Sequence, residues 1–272
     1  MHITRRDPNS MKNKDNTSWW TEEYGYFGSF YIKADTQRDT KRNNEISLRE
    51  RTKVEVDGII RLLSLEDGMK ILDCPCGYGR HSIELASRNF LVTGADINSK
   101  HLEKAKSTAG DRTITFTKKN MLDLMYDSEF DAVINIFASF GFFDTEEENE
   151  KVLQNFFNAL KPGGKFLMHI DANISKMIHG DHKHINEKEL VTGEILRIVD
   201  VFNPKTKRLD GTWTIEGENT KRIRGYSVRI YTKDEFERMC KKIGFSSVKT
   251  YSNWNGNEYT DDADNMIVVA QK

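Results

Sequence analysis

Proline and cysteine are scarce in this chain, with four prolines and three cysteines among 272 residues. The cysteine count is odd and follows no framework spacing, and Cys74 and Cys76 share one short loop. A disulfide-stapled secreted scaffold is thereby excluded, and a reducing compartment is expected. No stretch approaches the ~18 apolar residues needed to span a bilayer. Excess charge of either sign is missing too: 41 Lys and Arg face 42 Asp and Glu, for a formal net charge of -1. That balance offers no electrostatic reason for a nucleic-acid or anionic-membrane partner. The basic runs at residues 205–208 and 221–224 read as solvated turns. The opening MHITRRDPNSMKNKDN carries charge without an apolar run behind it, so it reads as a disordered start and not a secretion signal. A cytoplasmic protein with neither nucleic acid nor membrane as partner is expected.

What is present begins with aromatics. Trp19, Trp20, Tyr24, Tyr26, Phe27, Phe30 and Tyr31 crowd one segment with no clean period of two or 3.6. Residues 1–45 are read as a flexible N-terminus with an aromatic lid segment. Ser47 and Glu50 then fit a capping box, and Val56, Ile59, Ile60 and Leu63 form the stripe of a helix. From Lys70 short apolar runs alternate with amphipathic ones. Strands are expected at 71–72, 91–95, 113–117, 130–137 and 165–171, with helices at 81–88, 99–107 and 145–160. The last of these helices starts on a Thr145–Glu148 box and stops at Pro162-Gly163-Gly164. This rhythm predicts a Rossmann-like, doubly wound α/β domain over 46–175 and 232–272.

The rhythm breaks at 176–231, where β-rich runs at 194–202, 211–216 and 226–231 surround an Asn203-Pro204 turn. We read an antiparallel β insertion, a substrate lid. A helix from the Thr232–Glu235 box to Gly244 and two strands, 247–252 and 266–270, close the domain as a hairpin.

The stretch ILDCPCGYGRHSIELA, residues 71–86, ends a strand on Asp73 and opens a helix after a loop of small residues. Ligands of open parallel sheets bind beyond the strands' carboxyl ends, where glycine lets the backbone approach closely. An acid about 20 residues on, at the end of the next strand, can accept from ribose hydroxyls, and Asp96 stands there. The dinucleotide fingerprint fails, because Ser82 follows where its third glycine belongs.

LDCPCGYGRH, VTGADIN, FDAVINIFASFGFF and ALKPGGKF, in that order, resemble the class I S-adenosylmethionine-dependent methyltransferases. The resemblance implies a seven-stranded sheet ending in an antiparallel hairpin, with S-adenosylmethionine as donor and S-adenosylhomocysteine as product. Pro75 stands where the family's first loop glycine usually lies. By resemblance, Asp73, Gly77 and Gly79 cradle the cofactor's methionine part, with Cys74, Cys76 and Arg80 beside them. Asp96 holds the ribose hydroxyls, with Ile97 against the adenine. Asn120 and Met121 meet the adenine, while Asn135 and Phe137 face the sulfonium. Phe137, Phe140 and Phe142 could equally be core. Arg80 and His81 open a helix, where the macrodipole disfavours cations, a placement that hints at function or at simple surface.

A Pro-Cys nucleophile is rejected because Cys76 follows the first strand and not the fourth. No metal site is expected: Cys74 and Cys76 lack a second half, and His179, His182 and His184 read as a solvated loop. Methyl displacement at a sulfonium needs positioning and water exclusion, plus a base where the nucleophile carries a proton. Candidate bases are His169, Tyr24 and Asp171. Candidate substrate residues are Tyr24, Tyr26, Phe140, His169, Arg229 and Trp254. No Asp/Asn-Pro-Pro-Tyr run follows the fourth strand. The leading expectation is N- or O-methylation of a small molecule. The alternatives are methylation of RNA or a protein side chain, or a non-catalytic cofactor-binding module.

Overall fold

The computed structural model describes residues 18–179 and 183–272. The expected disordered start and His182 lie outside the described residues. Helices α1 (Ser29–Thr36) and α2 (Leu48–Leu63) lead into β1 (Lys70–Asp73), α3 (Arg80–Ala86), β2 (Leu91–Asp96), α4 (Ser99–Ala109) and β3 (Ile114–Lys118). Then come β4 (Phe130–Asn135), α5 (Glu146–Ala159), β5 (Leu160–Ile170) and α6 (Ile174–His179). Strands β6 (Lys183–Glu189), β7 (Ile195–Asn203), β8 (Arg208–Gly217) and β9 (Thr220–Arg229) follow, before α7 (Lys233–Ile243), β10 (Ser247–Tyr251) and β11 (Met266–Gln271).

The main sheet has seven strands in the order β10-β11-β5-β4-β1-β2-β3. Strands β1 to β5 run parallel, and β11 is antiparallel to both β5 and β10, so the chain closes on the expected hairpin. Strands β6 to β9 form a separate antiparallel sheet in sequence order. Alternation along the central strands sends Leu72, Val133, Phe166 and Met168 to one core cluster and Ile71, Ala132, Ile134 and Leu167 to another. Both faces of the sheet are therefore covered, as parallel strands require. Phe156, Phe166 and Phe236 are wholly buried, and each such side chain stabilises by roughly 1.5–3 kcal/mol. All three capping boxes form, Ser47–Glu50, Thr145–Glu148 and Thr232–Glu235. Among the described residues no helix is long and apolar enough to cross a membrane.

Several boundaries differ from those expected of the sequence. Strand β4 stops at Asn135, because Phe137 and Ala138 turn to φ 63° and 50°. Strand β5 starts early, at Leu160, and runs through Pro162-Gly163-Gly164; Phe130 pairs with Leu160 and Ala132 with Lys165, so these residues form an irregular step in the strand. Helix α1 is not announced by the sequence. It buries Phe30 and Ala34 as well as Asp35, so protein covers it on more than one side and no single apolar stripe marks it. Strand β6 reads KHINEKE, an edge strand too polar to stand out.

The inserted sheet clamps α1 from outside. The Tyr31 ring stacks on Trp213 at 5.6 Å, Arg224 donates to the Gly25 carbonyl, and the Asp39 and Val191 N–H groups bond the Glu189 and Gln37 carbonyls.

Candidate active site

The order of strands reverses between β1 and β4, and a crevice opens outside such a switch point. A cavity occupies it, with about 880 Å³ of atom-free space that includes solvent at its mouth. Its floor is the loop after β1, Pro75 to Tyr78, together with Asp96 and Ile97 after β2. Lys119, Asn120 and Met121 after β3, and Ile136, Phe137 and Ser139 after β4, extend it. The roof comes from the aromatic segment and α1: Trp20, Phe27, Tyr31 and Asp35. Phe142 and Phe143 close one side.

The loop's two glycines have different reasons. Gly77 has φ 54°, and a Cβ there would meet only His101 Nδ1, at 4.0 Å, so the cavity side is open. At Gly79, φ 83°, a Cβ would stand 2.8 Å from the Ala105 methyl, so glycine permits packing against α4. Asp96 ties the strand end together: Oδ2 accepts from the Gly77 N–H and Oδ1 from the Asn98 N–H, both at 2.8 Å.

A charged cluster lines one end. The Arg51 and Arg80 guanidiniums lie over the Phe137 ring, 4.7 and 4.5 Å from its centroid. Arg80 donates to Thr52 Oγ1 at 2.9 Å and pairs with buried Glu55. Burial would raise the Glu55 pKa, but His81 and Arg80 outweigh it and hold the carboxyl at about 2. Burial and the Arg80 charge push His81 down to about 4, so its ring is neutral at pH 7 and donates to Glu55 at 3.0 Å. Arg80 Nη2 is buried without a hydrogen-bond partner, which leaves one donor unsatisfied, while Arg51 Nε faces Glu55 Oε1 at 3.6 Å.

On the roof, Asp35 pairs with Arg38 and accepts from the Tyr78 hydroxyl. Burial acts to raise its pKa, but Arg38, Tyr78 and Arg51 more than compensate, so the carboxyl is held below its ordinary range. Burial and Asp35 together push the phenols of Tyr31 and Tyr78 upward.

Of the residues singled out from sequence for the cofactor, Cys76, Gly77, Arg80, Asp96, Ile97, Asn120, Met121 and Phe137 line this cavity. Asp73, Cys74, Gly79 and Asn135 stand behind the wall. Asp73 accepts from Ser82 Oγ at 2.6 Å, and burial pushes it up to about 7 despite that bond. Asn135 donates to the Cys74 carbonyl at 3.0 Å, fastening the loop to β4.

The residues singled out for substrate and catalysis lie elsewhere. Tyr24 accepts from the Gly225 N–H, and Tyr26 is buried against Trp213 and Tyr226. Phe140 packs on Tyr231 and Phe236, while Arg229 pairs with Glu146 and Glu235. His169 meets Asn265 Oδ1 at 3.0 Å beside Trp254 and packs on Phe137 of the cavity wall. Asp171 is exposed. His179 turns back onto Ser175, and His184 sits 3.8 Å from Asp200. Among the described residues no cluster of three or more His, Cys, Asp or Glu could hold a metal.

Sequence reasoning missed Phe27, Tyr31, Asp35, Arg51, His101 and Lys119 as wall residues. Phe27, Tyr31 and Asp35 recur every four residues, a helical spacing that could have marked one face. No inserted-sheet residue reaches the wall among the described residues, so the insertion acts on the cavity through α1.

The family model described as "Methyltransferase domain" matches residues 71–164. A glycine/sarcosine N-methyltransferase of Halorhodospira halochloris is 26% identical over 98% of this chain and 94% of its own length. The putative methyltransferase YqeM of Bacillus subtilis is 26% identical, over 77% of this chain and 86% of that protein. Among solved structures, the SAM-bound amino pentose methyltransferase CalS10 of Micromonospora echinaspora shares the fold, with a TM-score of 0.66 at 17% identity, covering 90% of this chain and 98% of that one. With the strand-end cavity and the order of the sheet, these likenesses lead to one conclusion: residues 71–164 carry a methyltransferase domain, and the chain has the fold of the class I S-adenosylmethionine-dependent methyltransferases.

Proposed function

We propose that the protein methylates an amine nitrogen of a metabolite-sized acceptor held beneath α1. The cofactor supplies a methyl group on a sulfonium that is already electrophilic. Asp96 accepts from its ribose hydroxyls, and the unsatisfied donor of Arg80, with the Arg51 guanidinium beside it, suits its carboxylate. Ile97 and Met121 offer apolar surface to its base, and the open side of Gly77 admits its chain.

The observation that carries the acceptor reading is Asp35, a buried carboxylate held ionised in a wall of Phe27, Tyr31 and Tyr78. Aromatic faces and a carboxylate attract and orient an ammonium group; its proton leaves to solvent before the neutral amine attacks, since a carboxylate held this low is too weak a base to take it. An alcohol needs a stronger base. Neutral His81, pushed down to about 4, is a weak one, and burial keeps the Tyr31 and Tyr78 phenols protonated. The likeness to a glycine/sarcosine N-methyltransferase supports nitrogen over oxygen. The roof over the cavity supports a small acceptor over RNA or a protein side chain.

Purified protein with S-adenosylmethionine should form S-adenosylhomocysteine with members of a panel of glycine, sarcosine and amino sugars, and not with their hydroxy counterparts. Turnover on the hydroxy compounds alone, or labelling of an extract that RNase or protease abolishes, would overturn the reading. Binding without turnover across all acceptors would favour a non-catalytic module.

A further inference from the structure

His101 is the third residue of α4, 2% exposed, with its ring packed among Phe27, Tyr31 and Tyr78. Its Nε2 accepts from the Gly28 N–H at 2.9 Å. A neutral imidazole has one acceptor and one donor nitrogen, so this bond puts the ring proton on Nδ1. Nδ1 faces Asp96 Oδ1 at 3.9 Å. That distance is too long for a direct hydrogen bond, but the nearby carboxylate favours an N–H on that side. The tautomer that Asp96 favours is thus the one the Gly28 bond requires.

Gly28 is the N-cap of α1, with φ 91° and ψ −139°, and no side chain of α1 caps it. The helix behind it carries Tyr31 and Asp35 into the cavity roof. One imidazole therefore stands between the carboxylate on the floor and the first peptide of the roof. We propose that His101 is a positioning residue that makes the seating of α1 over the cavity depend on what occupies Asp96. This rests on reading Asp96 as the ribose partner. A ribose hydroxyl beside the pair donates to the carboxylate and accepts from Nδ1–H at once. Such a chain polarises the ring and strengthens Nε2 as an acceptor for Gly28.

The probe is S-adenosylhomocysteine, with hydrogen exchange of the Gly28 amide as the readout and calorimetry to record binding. In the wild type the ligand should slow that exchange about tenfold, the scale of one hydrogen bond. His101→Gln places a carbonyl near the Nε2 position, so Gly28 should be protected equally with and without ligand. His101→Asn reaches only the Nδ1 position, so Gly28 should stay unprotected in both states while the ligand still binds. Equal ligand-dependent slowing in all three proteins overturns the proposal. So does a wild type that binds the ligand without slowing. If His101→Asn does not fold, the wild type and His101→Gln decide between these outcomes. An absence of binding heat in the folded wild type overturns the cofactor reading itself, and this inference with it.

Discussion

The backbone of Gly141 lies directly against that of Arg229. The Arg229 N–H donates to the Gly141 carbonyl at 2.8 Å, and a Cβ on Gly141 would stand 2.2 Å from the Arg229 carbonyl oxygen. Gly141 belongs to the loop that brings Phe137, Ser139, Phe142 and Phe143 to the cavity, and Arg229 ends β9 of the inserted sheet. With φ at +93° as well, position 141 excludes a side chain twice over. Gly141→Ala should destabilise the fold by about 2–4 kcal/mol. A thermal melt that falls by several degrees would bear this out, and an unchanged melt would contradict it.

Asp96 should dominate cofactor affinity. Removing a charged acceptor from hydrogen-bonded ligand groups costs about 1.5–3 kcal/mol, and Gly77 and Asn98 lose a partner as well. Asp96→Ala should weaken S-adenosylhomocysteine binding by about tenfold or more. Titration calorimetry on folded variant measures this, and an unaltered Kd would remove Asp96 from the site.

Asp35 should act on the acceptor and spare the cofactor. Asp35→Asn keeps the shape and an acceptor for the Tyr78 hydroxyl but loses the charge. We expect kcat/KM for the amine to drop by about tenfold or more, with S-adenosylhomocysteine affinity within about threefold. Matched losses in both quantities would mean that Asp35 serves the fold and not the acceptor.

The pH dependence of stability has a separable part. Asp73 is raised from 3.8 to about 7 in the folded state, so the native protein holds a proton that the unfolded chain has released. Its contribution to stability is full below about pH 4 and is lost as pH rises toward 7. His81, lowered from 6.5 to about 4, runs the other way and favours the fold increasingly as pH rises through that window. Glu55, lowered from 4.5 to about 2, contributes above 4.5 and is lost as pH falls toward 2. Whole-protein curves mix these effects. Asp73→Asn can still accept from Ser82, and its stability relative to wild type should rise by a few kcal/mol between about pH 4 and 7. Parallel curves from denaturant titrations across that range would refute the shift.

Much of the cavity floor is legible in the amino-acid sequence. Its residues sit at strand ends, and strand ends are announced by short-range patterns: an apolar run, then Asp73 or Asp96, then small or capping residues. The cavity roof is not legible there. Tyr24, Tyr26, Phe140, His169, Arg229 and Trp254 are attractive by residue type, yet the fold uses each in packing or in bonds away from the wall. Residue chemistry cannot say which face of a segment looks inward when neighbours cover more than one side, as they do around α1.

Local periodicity and the small-residue loop determined from sequence that a doubly wound parallel sheet would form with a cleft at its strand ends. Helix capping and strand alternation need only neighbours within a few residues, so they survive in one dimension. Tertiary structure alone decided the roof. Asp35 meets Tyr78 across 43 residues, and Gly28 meets His101 across 73. Contacts of that span follow from how the inserted sheet presses α1 onto the cavity, and no local pattern in the chain encodes that pressure.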